Sequence, residues 1–175
     1  MSYHLYRSRA ILLGGYPLGE DSKFLSFLTE EYGLITALAQ GIRLLKSKLR
    51  YHTDPFSVSE LELVRGKDMW RCTTLTPVSI EKVSPASRLF LTKIAIVIRR
   101  LVHGEEENRK LFHLFSELIE FFETHEVTKE EEVVVEIVSL GNILQSLGYF
   151  APTEKEKEFL GISLEKLSLV MDSQT

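Results

Sequence analysis

The apolar residues of this chain change their spacing at Ser84-Pro85, and that change constrains the fold more than any single motif. Before it, they fall in short runs broken by turn formers. Leu5–Leu13, Lys23–Thr29 and Leu34–Ala39 read as strands, punctuated by Gly14-Gly15, Pro17, Gly19, Gly33 and Gly41. Further on, Phe56 and Val58 alternate, then Leu61 and Leu63. Parity shifts across Ser59-Glu60, which predicts a β-bulge there. Arg65-Gly66-Lys67-Asp68 predicts a hairpin turn into a last strand from Met69 to Ile80. Five short strands with irregular connections in roughly 80 residues suit a small closed barrel.

Beyond Ser84 the period is helical. Ser84 can cap a helix with Pro85 in its first turn, and Leu89, Phe90, Ile94, Val97, Ile98, Leu101 and Val102 form its apolar face. A second helix is expected from Glu107 to Thr124. Thr128 and Glu131 form a capping-box pattern for a third. Val133-Val134-Val135 alone favours a strand, but the stripe Val133, Ile137, Leu140, Leu144, Leu147 runs at helical spacing as far as Gly148 and decides for helix. A weaker final helix is expected over Leu164–Met171. The chain therefore reads as α+β, with a barrel domain over residues 1–82 and a helical domain over 83–175.

Charge divides along the same line. Residues 1–82 carry 11 basic and 9 acidic side chains; residues 83–175 carry 10 and 16, within an overall net charge of −4. Two halves of opposite sign suggest two tasks. The single Cys72 excludes a disulfide framework and a cysteine-based zinc site and suits a reducing compartment. The longest strictly apolar run, Ile94–Ile98, is far short of a membrane span, and the apolar stretch after Arg7 and Arg9 is too brief for a signal peptide. A cytoplasmic protein is expected.

The longest stretch without an acid runs from Tyr32 to Thr53 and holds Arg43, Lys46, Lys48 and Arg50. Uncompensated cations so close together make an electrostatic footprint for phosphates, and Arg7 and Arg9, on one face of the first strand, can extend it. The alternative is a solvated loop. Tyr32, Tyr51, Phe56 and Trp70 are candidate stacking surfaces for bases, although Trp70 reads more readily as barrel core or lid. On the first helix, Lys93, Arg99 and Arg100 flank an apolar face and mark a candidate groove for an acidic, aromatic-ended peptide.

Signals for catalysis fail. Gly14-x-x-x-x-Gly19 begins like a P-loop, but Glu20-Asp21 follows where a lysine and a hydroxyl are needed. The histidines (His4, His52, His103, His113 and His125) show no metal-ligand spacing. Cys72 has no neighbouring base and reads as a buried strand thiol, and His113, sharing a helix face with Glu117 and Glu120, reads as solvated. No enzyme activity, cofactor or metal is expected. The runs Glu105–Glu107 and Glu130–Glu132 are both expected at helix starts, where the dipole favours them. Most of Phe112, Phe115, Phe121 and Phe122 are expected in the core.

In order and spacing, several segments resemble the N-terminal barrel of the RecO family of bacterial recombination mediators. These are Leu18-Gly19-Glu20, Phe27-Leu28-Thr29, Tyr32-Gly33, Gly41-x-Arg43-x-x-Lys46-Ser47, Asp54-Pro55-Phe56 and Arg65-Gly66-x-x-x-Trp70. Leu147-Gly148-Tyr149 followed by Pro152 is similar to the end of that family's central helical segment. The resemblance implies an OB-type five-stranded β-barrel followed by an α-helical domain. It also implies binding of single-stranded and duplex DNA, strand annealing, and loading of the recombinase RecA with RecR and the acidic tail of single-strand-binding protein. Departures are Gln40, where a basic residue is usual, the order Glu20-Asp21-Ser22-Lys23, and the absence of cysteines after Pro152, where many relatives carry a four-cysteine zinc module. A short form without that zinc-finger module is expected. A rival reading is a protein-interaction adaptor with little affinity for DNA.

Overall fold

The computed structural model describes residues 4–44, 47, 49, 52–78 and 83–160. The helix expected over 164–171 and the barrel boundary at Lys82 lie outside the described residues.

Five strands, β1 (Leu5–Leu18), β2 (Ser22–Thr29), β3 (Gly33–Ala39), β4 (Val58–Arg65) and β5 (Trp70–Pro77), close into a barrel in the order β1-β2-β3-β5-β4. All neighbours are antiparallel except β3 and β5, which pair in parallel through Ala37–Trp70 and Leu38–Arg71. This is the OB-fold arrangement, in which inward residues fill the barrel as a core. Ala10, Leu12, Leu25, Phe27, Ile35, Ala37, Leu61, Leu63, Trp70 and Cys72 all pack there.

The first strand is longer than its sequence pattern predicts. It continues through Gly14-Gly15 to Leu18, because a β-bulge between Leu12 and Gly14 absorbs one residue and resets its phase. The bulge leaves the Leu12 carbonyl free to accept the Phe56 N–H at 2.9 Å. One strand thereby pairs with β4 through residues 5–11 and with β2 through residues 10–18. The bulge expected at Ser59-Glu60 is absent. Ser59, Leu61 and Leu63 alternate inward without interruption, while Phe56 lies before the strand in a turn with φ 66°. The irregularity falls instead opposite Glu62/Leu63, where β5 contributes an extra residue.

Four helices follow among the described residues: α1 (Pro85–Leu101), α2 (Arg109–Thr124), α3 (Lys129–Ser146) and α4 (Glu154–Leu160). Each of the first three has a side-chain cap. Ser84 Oγ accepts the Ser87 N–H, Asn108 Oδ1 accepts the Leu111 N–H, and Thr128 and Glu131 form the reciprocal capping box. Asn108 fixes the start of α2 two residues later than expected, so Glu105–Glu107 precede that helix instead of lying in its first turn. Glu130–Glu132 do occupy the first turn of α3. Gly148, at φ 77°, ends α3 with Gly148 N–H to Gln145 and Tyr149 N–H to Leu144, a Schellman closure that only a left-handed residue permits. Thr128→Ala removes one bond of the box and is expected to lower stability by about 1 kcal/mol, read as a shift in the denaturant midpoint at unchanged slope.

The inward face of α3 differs from the predicted stripe. Val135, Val138, Ser139 and Ile143 are buried, whereas Val133 and Ile137 are 56% and 53% exposed. Phe112, Phe115, Phe121 and Phe122 are all buried. The chain divides into two compact units: Met1–Lys82 with Val102–Phe112, and Val83–Leu101 with His113–Thr175. The segment between α1 and α2 thus groups with the barrel.

Candidate nucleic-acid interface

Strand register assembles a surface on the outside of the barrel that the sequence pattern hides. Because Leu25, Phe27, Ile35, Ala37, Trp70 and Cys72 point inward, their neighbours point outward. Tyr16 pairs with Phe24, Phe24 with Leu38, and Leu38 with Arg71. Four outward side chains therefore line up across β1, β2, β3 and β5. Tyr16 is 50% exposed, its ring centroid 5.3 Å from that of Phe24, and Arg71 is exposed at the far end of the row. The clue in the sequence was Tyr16 itself, obscured by reading Gly14-Gly15 as a turn.

Arg43 follows the end of β3, the strand that supplies Leu38. Gly41 turns the chain at φ 63°, Ile42 inserts into the barrel core, and Arg43 is consequently left in solvent. The Arg43 N–H is anchored to the Asp21 carbonyl at 3.0 Å, at the start of β2, and Arg43 lines a depression with Lys23, Ile42 and Thr53. Lys23, Arg43 and Arg71 have no ion-pair partner among the described residues. Lys46, Lys48, Arg50 and Tyr51 lie outside the described residues.

The other predicted contacts separate from this group. Arg7 and Arg9 share an exposed face, but register sets them opposite Glu62 and Glu60, and Glu31 lines the same cleft. Arg7 Nε binds Glu62 at 2.9 Å, and Arg7, with Thr74 as the larger cause, holds the Glu62 carboxyl below its ordinary range. The Arg9 guanidinium lies 5.5 Å from the Phe112 ring centroid. Three glutamates offset both arginines, so this face offers phosphate no net attraction.

Trp70 is not an outward stacking platform. It is 5% exposed, its indole N–H donates to Glu105 at 2.8 Å, and it packs with Tyr6 and Tyr32 at ring separations of 5.0 and 6.1 Å. Phe56 is likewise buried. Glu105, unremarked in the sequence pattern beyond its place in an acidic run, thus carries the lid of the barrel. Cys72 is buried in β5, and burial pushes its thiol up to about 12, so at neutral pH it is no nucleophile. Among the described residues no group of His, Cys, Asp and Glu is arranged to hold a metal ion, and no helix is long and apolar enough to cross a membrane.

Residues 1–80 match the family model of the N-terminal domain of recombination protein O. The chain is 31% identical over 170 residues to the DNA repair protein RecO of Synechococcus sp., covering 87% of this chain and 57% of that protein. It is 32% identical over 125 residues to its counterpart from Trichodesmium erythraeum, covering 68% and 42%. The chain belongs to the RecO family. Its RecO N-terminal barrel also matches the Gloeothece citriformis DNA repair protein RecO at 42% identity over 64 residues, 37% of this chain and 23% of that protein. The chain thus spans only about half the length of the first two of these RecO relatives.

Proposed function

We propose that this chain acts in DNA repair and recombination by holding single-stranded DNA on the outer face of its barrel. The observation that carries the reading is the outward row Tyr16–Phe24–Leu38–Arg71, in a half whose sequence also holds the acid-free stretch 32–53. Aromatic faces stack any base, and cations at the rim neutralise phosphates, which together give sequence-tolerant binding of a flexible strand. Neutralised strands approach one another more easily, so annealing is the expected consequence, with duplex DNA held by the same cations. Loading of RecA, assisted by RecR and by the acidic tail of single-strand-binding protein, completes the proposal. No step requires covalent chemistry.

A salt titration of binding to labelled oligo-dT tests it. Each phosphate contact contributes about 0.7 to the log–log slope for single strands. The four loop cations alone predict a slope near ~−3, and Lys23 and Arg71 steepen it toward ~−4. A flat slope, or no binding at ~50 mM salt, overturns the proposal.

The adaptor reading is favoured by one specific observation. The helical unit exposes Leu89 and Ile96 on α1 and Val133, Val134 and Ile137 on α3. Lys93 is 3.8 Å from Glu132, whereas Arg99 and Arg100 stand exposed in the last turn of α1. Calorimetry with an acidic, aromatic-ended tail peptide separates the cases. Binding that is lost on charge reversal at Arg99 and Arg100 places the peptide there, and unchanged affinity removes the site.

A further inference from the structure

The barrel carries an anion site that the chain itself occupies. At the β4–β5 hairpin Arg65 pairs with Trp70, and its guanidinium lies 4.8 Å from the centroid of the indole ring. Glu105, from the segment between α1 and α2, accepts the indole N–H at 2.8 Å through one carboxylate oxygen and meets Arg65 Nη1 at 3.1 Å through the other. A guanidinium stacked on an aromatic ring beside a single N–H donor is suited to a phosphate as well as to a carboxylate. Both charged partners remain reachable from solvent, with Arg65 57% and Glu105 42% exposed.

The position is as informative as the chemistry. Arg71 ends the outer row, and the next pair in the ladder after Val64–Arg71 is Arg65–Trp70. Gly66 adds no side chain between them; a β-carbon there would stand 3.9 Å from Arg71 Nε. Across the ladder the row continues from Arg71 to Val64, and Arg65, with the parity of Trp70, stands one residue further at the hairpin edge, so a strand that reaches Arg71 comes within a residue of it.

We infer that Glu105 is a built-in competitor for the nucleic-acid backbone: a phosphate of a bound single strand takes its place on Arg65 and the Trp70 N–H. The inference rests on the binding reading above. Exchange of carboxylate for phosphate leaves neither donor unpaired, so it requires only that the Glu105 side chain swing away. Coupling is reciprocal, so whatever holds Glu105 in place weakens strand binding, and strand binding releases Glu105.

Trp70 is the only tryptophan of the chain, so its emission reports on this contact without labelling. Glu105→Gln keeps an acceptor for the indole while removing the charge, and Glu106→Gln removes one charge from the same segment without touching the contact. Oligo-dT affinity at low salt is expected to rise about fivefold in E105Q, the worth of one half-exposed ion pair, and much less in E106Q. Titration of the wild-type chain with oligo-dT is expected to change Trp70 emission in proportion to binding. Glu105→Asp, which preserves net charge but shortens the reach, is expected to bind more tightly than wild type and keeps the test decisive if E105Q does not fold. Equal affinities for E105Q and E106Q, or wild-type binding with silent Trp70 emission, overturn the inference while leaving the binding reading intact. Absence of any wild-type binding overturns both.

Discussion

Gly33→Ala is expected to destabilise the protein by about 3 kcal/mol or more, against about 1 kcal/mol for Gly19→Ala. The two glycines have nearly the same backbone angle, φ 66° and φ 62°, so the conformational cost of a side chain is similar at both. What differs is the space. A β-carbon at Gly19 meets nothing, whereas at Gly33 it overlaps the Glu106 carbonyl oxygen, which belongs to backbone and cannot rotate away. The excess at Gly33 therefore measures how firmly residues 102–112 are seated on the barrel. Thermal unfolding reads it as a loss on the order of 10 °C, since each kcal/mol moves a chain of this size by about 2–4 °C. Equal losses for the two variants would show that the seating contributes no stability.

Replacing Arg43 and Lys46 together by glutamate is expected to weaken oligo-dT binding by roughly 70-fold at 50 mM salt and roughly tenfold at 200 mM. The difference follows from losing two contacts, which makes the log–log slope shallower by ~1.4. Every sequence should lose affinity alike, because phosphates carry no base identity. Arg43 is exposed, so the fold should survive; surface changes usually cost under about half a kcal/mol. A folded double variant with wild-type affinity and an unchanged slope would falsify the role of this segment in strand binding.

What the sequence discloses depends on whether a signal is local. The caps at Ser84 and Thr128, the Gly148 stop and the Arg65–Trp70 hairpin are decided within a few residues, and each stands where the pattern places it. Helix α3 shows the limit. It is apolar on two faces, and periodicity says only that a stripe exists, not which stripe meets the core; the stripe through Val133 and Ile137 is the outer one. Glu105 shows another limit, because the partners that define its role, Arg65 and Trp70, are about forty and thirty-five residues away. Arg7 and Arg9 were legible as a cationic face, but the glutamates opposite them belong to a different strand and appear only through register. The interface row has the same origin: no two of its members are neighbours in sequence.

The extra residue at Leu13 gives β1 one residue of slack. Deletion of its codon would join the pair Leu12–Phe27 directly to Gly14–Ser26, turning the bulge into regular ladder and leaving Gly14 to Leu18 on the sides they already occupy. Tyr16 would still face outward opposite Phe24 and Gly15 inward opposite Leu25, and the loss would be the bulge that leaves the Leu12 carbonyl to the Phe56 N–H. A codon added across residues 12–16, by contrast, would have to enlarge the bulge or turn Tyr16 inward, so length variation there is expected as single losses and not as gains.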